Sequence, residues 1–119
     1  MANKNEMKCI ETFKAVLKTN NVELQKKFDF IRGEKGTTLP LDAYFPKQNF
    51  VLEYMGKQHY SNVPHFNRRQ GRAEQRKKYD DVKAKMLKLN HIELIYFKYD
   101  EEINEENVKK KLIEHKILK

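Results

Sequence analysis

A carboxylate lies inside the most apolar run of the chain, Asn49-Phe50-Val51-Leu52-Glu53-Tyr54-Met55-Gly56. A run with apolar residues on both faces reads as an interior strand of a sheet, and an ionised carboxylate buried there costs several kcal/mol unless it is compensated. A basic partner and a metal ion are the two ordinary compensations. Eleven residues upstream, Leu39-Pro40-Leu41-Asp42-Ala43-Tyr44-Phe45 places a second acid, Asp42, in a second apolar strand. If the two strands pair through the short connection between them, Asp42 sits beside Glu53. Two carboxylates that close repel unless a cation lies between them. Mg²⁺ favours such a place, taking one or two carboxylates and leaving its other positions to water and phosphate oxygens.

Other side chains could join this chemistry. His59 follows the acidic strand, where an imidazole could activate water or donate to a phosphate, or could instead hold the turn through backbone hydrogen bonds. His65 has the same two readings, while His91 and His115 read as turn and surface residues. Two histidines without cysteine partners make a poor structural zinc site. The lone Cys9 falls on or beside the apolar face of a helix and reads as core; it excludes an internal disulfide.

The elements that must position these residues follow from periodicity. Residues 5 to 19 carry Met7, Ile10, Phe13, Val16 and Leu17 at helical spacing. Residues 22 to 31 alternate as a strand, with Leu24, Phe28 and Phe30 expected inward. Gly33-Glu34-Lys35-Gly36 marks a turn. Strands at 39–45 and 50–55 flank the tight connection Pro46-Lys47-Gln48-Asn49. A long polar helix spans about 67 to 89, a fourth strand 92 to 97, and a closing helix 104 to 118 with Val108, Leu112, Ile113 and Ile117 inward. The order α-β-β-β-α-β-α implies one α/β domain over residues 1–119, a mixed four-stranded sheet flanked by helices.

Charge adds a direction to the chemistry. The 119 residues carry a formal charge of +8, with 35% charged and 39% apolar residues. Between Lys57 and Lys85 nine Lys/Arg face three acids, and Arg68, Arg69, Arg72 and Arg76 fall within nine residues. With Lys77 and Lys83, they form a segment suited to phosphate contacts and lacking the apolar face of a membrane-surface helix. No apolar run approaches the roughly 20 residues of a membrane span, and the polar start has no secretory core. An intracellular, cytoplasmic protein that acts on nucleic acid is the expectation, with no membrane and no small-molecule cofactor.

The stretch Leu41-Asp42-Ala43-Tyr44-Phe45-Pro46 … Phe50-Val51-Leu52-Glu53-Tyr54-Met55-Gly56-Lys57-Gln58-His59-Tyr60 resembles the core of the PD-(D/E)XK nucleases. It is most similar to the small branch of very-short-patch-repair and phage homing endonucleases, with an apolar strand ending in E-Y-x-G-x-Q-H-[YF]. Asp80-Asp81-Val82-Lys83 before Asn90-His91-Ile92-Glu93-Leu94-Ile95 matches that branch's D-x-x-K helix and following strand. The resemblance implies a restriction-endonuclease-like core and Mg²⁺- or Mn²⁺-dependent cleavage of DNA. Asp42 and Glu53 would be the metal-binding acids, and a glutamate from the first helix often joins them. Glu6 points along the apolar arc of that helix and Glu11 away from it, so Glu6 is the candidate. The family's usual lysine, two residues after the glutamate, is Met55 here. Its role would fall to Gln58 and Lys57 just beyond the strand, or to Lys83. The rival expectation is a DNA-binding protein on the same fold without cleavage. One chain supplies one active site, so cutting both strands would need two successive nicks, a homodimer or a partner protein.

Overall fold

The computed structural model describes residues 4–56 and 67–119, with side chains of the second segment described from residue 76 onward. The element order is α1 (Lys4–Leu17), β1 (Glu23–Arg32), β2 (Thr38–Phe45), β3 (Phe50–Met55), α2 (Asn67–Leu89), β4 (Glu93–Lys98) and α3 (Glu105–Glu114). The described strands form one sheet in the order β1-β2-β3-β4. Both β1/β2 and β2/β3 are antiparallel, whereas β3 and β4 run parallel, so the sheet is mixed. Parallel neighbours need a crossover rather than a hairpin, and α2 lies in the β3–β4 connection.

Helices cover both faces. On one side, Cys9, Ile10 and Phe13 of α1 and Val108 and Leu112 of α3 pack on Ala43, Phe45, Phe50, Leu52, Tyr54, Ile95 and Phe97. On the other, Leu87 of α2, with Tyr79, Val82 and Met86, packs on Ile31, Leu39, Leu41 and Val51. Interior β3 therefore has apolar neighbours above and below, and its first five residues are all buried. The ring of Phe13 is central to the first layer, with centroids 6.1–6.4 Å from those of Phe45, Phe50 and Phe97.

Local signals explain the joints. The β2–β3 hairpin closes on Asn49, whose left-handed backbone (φ 57) suits Asn better than most residues. Its Oδ1 accepts from the Tyr44 hydroxyl and its Nδ2 donates to the His91 carbonyl, tying the hairpin to the start of β4. The β1–β2 turn docks on α2 at Gly33, where a Cβ would stand 3.1 Å from the Tyr79 ring. Asn104 caps α3 by accepting from the Asn107 N–H at 2.8 Å.

Three details depart from the sequence reading. Leu24 is 49% exposed rather than inward, on a strand at the edge of the described sheet; β1 pairs in register with β2 as far as Lys27↔Pro40. Pro40 has no N–H for the ladder, and the register resumes only at Arg32↔Thr38. The closing helix ends at Glu114 rather than 118. Lys116 turns left-handed (φ 62), and the N–H groups of Ile117 and Leu118 both reach the Leu112 carbonyl, folding these two side chains back onto the core. Ile113 is correspondingly 52% exposed, while Val108 and Leu112 carry the inward face. Among the described residues, no helix is long and apolar enough to cross a membrane.

The packing of Phe13 gives a stability test. Phe13→Ala should cost about 3–5 kcal/mol in urea unfolding, the range for deleting a buried ring. Ile113→Ser, on the exposed side of α3, should change stability by roughly 0.5 kcal/mol or less.

Candidate metal and phosphate site

Strand alternation directs Glu53 toward α2. Val51, two residues earlier, belongs to the α2-side cluster, and Glu53 is the one buried charged residue among the described residues, at 6% exposure. The register extends its neighbourhood to Tyr96, its parallel partner on β4.

Asp42 arrives from the other side by a break in regularity. Leu39 and Leu41 pack with the α2-side cluster, whereas Ala43 and Phe45 pack with the α1/α3 side, so simple alternation along β2 is interrupted at Asp42. Opposite, Gln25 of β1 takes a left-handed backbone (φ 49) and drops out of the paired register. The β2–β3 ladder likewise stops at Ala43↔Leu52. Beyond that point the Asp42 side chain replaces the missing main-chain partner: its Oδ2 accepts the Tyr54 N–H at 2.8 Å. This bond holds the Asp42 carboxylate against β3 next to Glu53, and the two side chains also share a hydrogen bond.

A cation completes the group. Lys83 Nζ lies 3.2 Å from Glu53 Oε1, with only 17% of its side chain exposed. Oε1 is a buried acceptor that faces this charge without a well-formed hydrogen bond. Burial first, and then the negative charge of Asp42, pushes the Glu53 carboxyl up to about 8; Lys83 opposes the rise without cancelling it. Glu6 is half-buried at the start of α1, and its carboxyl is raised first by burial and then by Asp42. Glu11, by contrast, is exposed and pairs with Lys14 at 3.2 Å. Among the described residues no three His, Cys, Asp or Glu side chains converge on one point. Asp42 and Glu53 are thus a two-carboxylate site, with Glu6 electrostatically close but outside any closed ligand cluster.

The remaining candidates divide by position. Lys57, Gln58, His59 and His65 lie outside the described residues, as do the side chains of Arg68, Arg69 and Arg72. Lys77 is exposed on α2, and Arg76 is partly covered. Cys9 is fully buried, with its thiol pushed up to about 12 mainly by burial, which makes it an inert core residue. Lys83, expected either among the phosphate contacts or as a cation near the two acids, sits in the inward stripe of α2 beside Glu53. Tyr79, Val82, Met86 and Leu87 define that stripe, and position 83 falls inside it at helical spacing.

The raised Glu53 carboxyl has a thermodynamic consequence. A folded-state pKa above the unfolded value of 4.5 means that the folded chain binds the extra proton between about pH 4.5 and 8. Stability from this group is therefore full below that window and lost as pH rises through it. With divalent ions chelated, thermal melts from pH 5 to 9 should show stability falling by an amount on the order of a few kcal/mol. Glu53→Gln should remove most of that slope, since a neutral amide has no proton to lose.

Comparison with known proteins adds one relative. The chain is 34% identical over 68 residues to the uncharacterized protein 307L of Invertebrate iridescent virus 6. The match covers 56% of this chain and 34% of that protein, so the chain spans about a third of its relative's length. No family model matches, and no solved structure matches.

Proposed function

We propose that this chain is a metal-dependent endonuclease that hydrolyses DNA phosphodiester bonds on a restriction-endonuclease-like core. The observation that carries the reading is the orphaned acceptor Glu53 Oε1, buried beside a second carboxylate. A purely structural acid would be expected to have its oxygens satisfied by donors. A carboxylate oxygen without a satisfied hydrogen bond, beside a second carboxylate, is a place that a hard divalent ion takes, leaving its other positions for water and phosphate. The coarse architecture agrees with that core: a mixed sheet between helices, one acid on the interior strand and the other on the hairpin partner.

Asp42 and Glu53 would hold Mg²⁺ or Mn²⁺, which when bound supplies a polarised phosphate and a more acidic water. The chain's own contributions are separable. The Tyr54 N–H fixes the Asp42 carboxylate, so one ligand is oriented before any ion arrives. Burial excludes water from Glu53 and strengthens every charge interaction around it. The Arg68–Arg76 segment and Lys77 would hold flanking phosphates without reading bases. Lys57, Gln58 and His59, directly after β3 in sequence, are candidates to place the attacking water.

Purified chain should nick supercoiled plasmid in Mg²⁺ or Mn²⁺ and stop when EDTA is added. Asp42→Asn and Glu53→Gln should each lower the nicking rate by about a hundredfold or more. A parent chain that binds DNA but never nicks, with Glu53→Gln binding equally well, would establish instead the non-cleaving DNA-binding protein. Binding has its own check in the salt dependence of affinity. Replacing Arg68 and Arg69 by Gln should flatten the log K against log salt slope by about 2, roughly 0.9 for each phosphate that is no longer neutralised. An unchanged slope would remove the arginines from the interface.

A further inference from the structure

We infer that the end of the molecule where β3 and β4 begin is a self-association surface, whose occupant is a second copy of this chain related by a two-fold axis. The inference stands apart from the endonuclease reading. A cavity of about 680 Å³ opens there between α2 and the start of β4. Ala84, Ile92, Leu94 and Ile117 give it an apolar lining, while Lys88 stands on the α2 wall and Glu93 on the β4 wall. Leu89 is 61% exposed, the highest value among the described large apolar side chains on the surface. In sequence it falls between Lys88 and His91, which both line the cavity, so an apolar knob and an apolar hollow share one end of the fold.

The corner that carries Leu89 is already tied down. The Asn90 N–H reaches the Met86 and Leu87 carbonyls, the His91 N–H reaches Lys88, and the Ile92 N–H returns to Leu87 at 2.9 Å, with His91 left-handed (φ 60). The side-chain amides of Asn90 and Asn49 donate to the Met86 and His91 carbonyls. A backbone held this way loses little freedom when its leucine enters a partner's cavity. Single exposed apolar residues are ordinary, but one beside a hollow with an apolar lining has the pattern of an interaction site. The charges choose the occupant. A nucleic-acid strand calls for cations on both walls, whereas these walls carry opposite signs. Across a two-fold axis the surface meets itself, so Lys88 of each copy can face Glu93 of the other while each Leu89 enters the opposite cavity. Both charged side chains are exposed, and the pairing of Glu93 with His115 at 3.6 Å is ionic only while that imidazole is protonated.

Sedimentation velocity without DNA, with divalent ions chelated, reads the association directly. Across protein concentrations from about 1 to 100 µM the parent should move from the monomer mass toward twice that mass. Leu89→Ser, Lys88→Glu and Glu93→Lys should each weaken association by about tenfold or more. Ile113→Ser, an equally exposed apolar change outside the cavity, should leave it within about twofold. The deciding arm mixes the two charge variants. Lys88→Glu alone sets Glu against Glu across the axis, and Glu93→Lys alone sets Lys against Lys. An equimolar mixture restores both attractive pairs and should form a heterodimer over the parental concentration range. A parent that stays monomeric to about 100 µM overturns the second copy as occupant. A dimer untouched by the Leu89 and charge variants overturns the surface. Charge variants that dissociate alone and stay apart when mixed overturn the two-fold pairing. If a charge variant does not fold, as judged by its melt, Leu89→Ser carries the decision: association at the parental level overturns the surface, and a loss of about tenfold supports it.

Discussion

The burial of Glu53 is the constraint around which the rest of the structure is arranged. β3 has α1 and α3 on one side and α2 on the other, so its first five residues are all buried. Placing a carboxylate there opposes the hydrophobic gain of the same strand. Two neighbours moderate that cost in opposite ways. Asp42 raises the proton affinity of Glu53 and shares a hydrogen bond with it, while Lys83 offers a countercharge from the helix. Neither makes the oxygen Oε1 an ordinary satisfied group.

Topology decides where those neighbours come from. The hairpin after β2 returns the chain antiparallel to it, which brings Asp42 across from Glu53 through only a few connecting residues. The parallel pairing of β3 with β4 demands a crossover, and the crossover helix lies over the face that Glu53 occupies. Lys83 is therefore delivered by the same element that buries Val51 and Leu41. The two irregular points of the sheet, the left-handed Gln25 and the interrupted alternation at Asp42, sit opposite one another. There the ladder gives up a main-chain bond, and the side chain of Asp42 takes the Tyr54 N–H in its place.

Most of this was legible in the sequence where a pattern was local and strong. The run from Phe50 to Met55 announced an interior strand, and the helical spacing of Ile10 and Phe13 announced a core helix. The choice of Glu6 over Glu11 as the glutamate turned toward Asp42 also followed from helical angle. What the pattern could not carry were features set by long-range geometry. The exposure of Leu24 goes with the place of β1 at the edge of the described sheet, which alternation along one strand does not reveal. The early end of α3 depends on Ile117 and Leu118 finding the core by turning back. Lys83 had two expected places, and charge counted along a segment could not choose between them; the helix stripe shows that it faces inward.

The charges at the site balance in two alternative ways. With Glu53 protonated, Asp42 and Lys83 cancel, and the buried group is neutral as a whole. On the metal-dependent reading, a divalent ion would displace the Glu53 proton, giving two carboxylates, one ammonium and the ion a net charge of plus one. One bridging phosphate of the substrate then restores neutrality. On that reading a proton and a divalent ion would be alternative occupants of the same carboxylate pair, and binding one should release the other. The raised Glu53 carboxyl would, on the same reading, keep a buried carboxylate neutral until an ion took the proton's place.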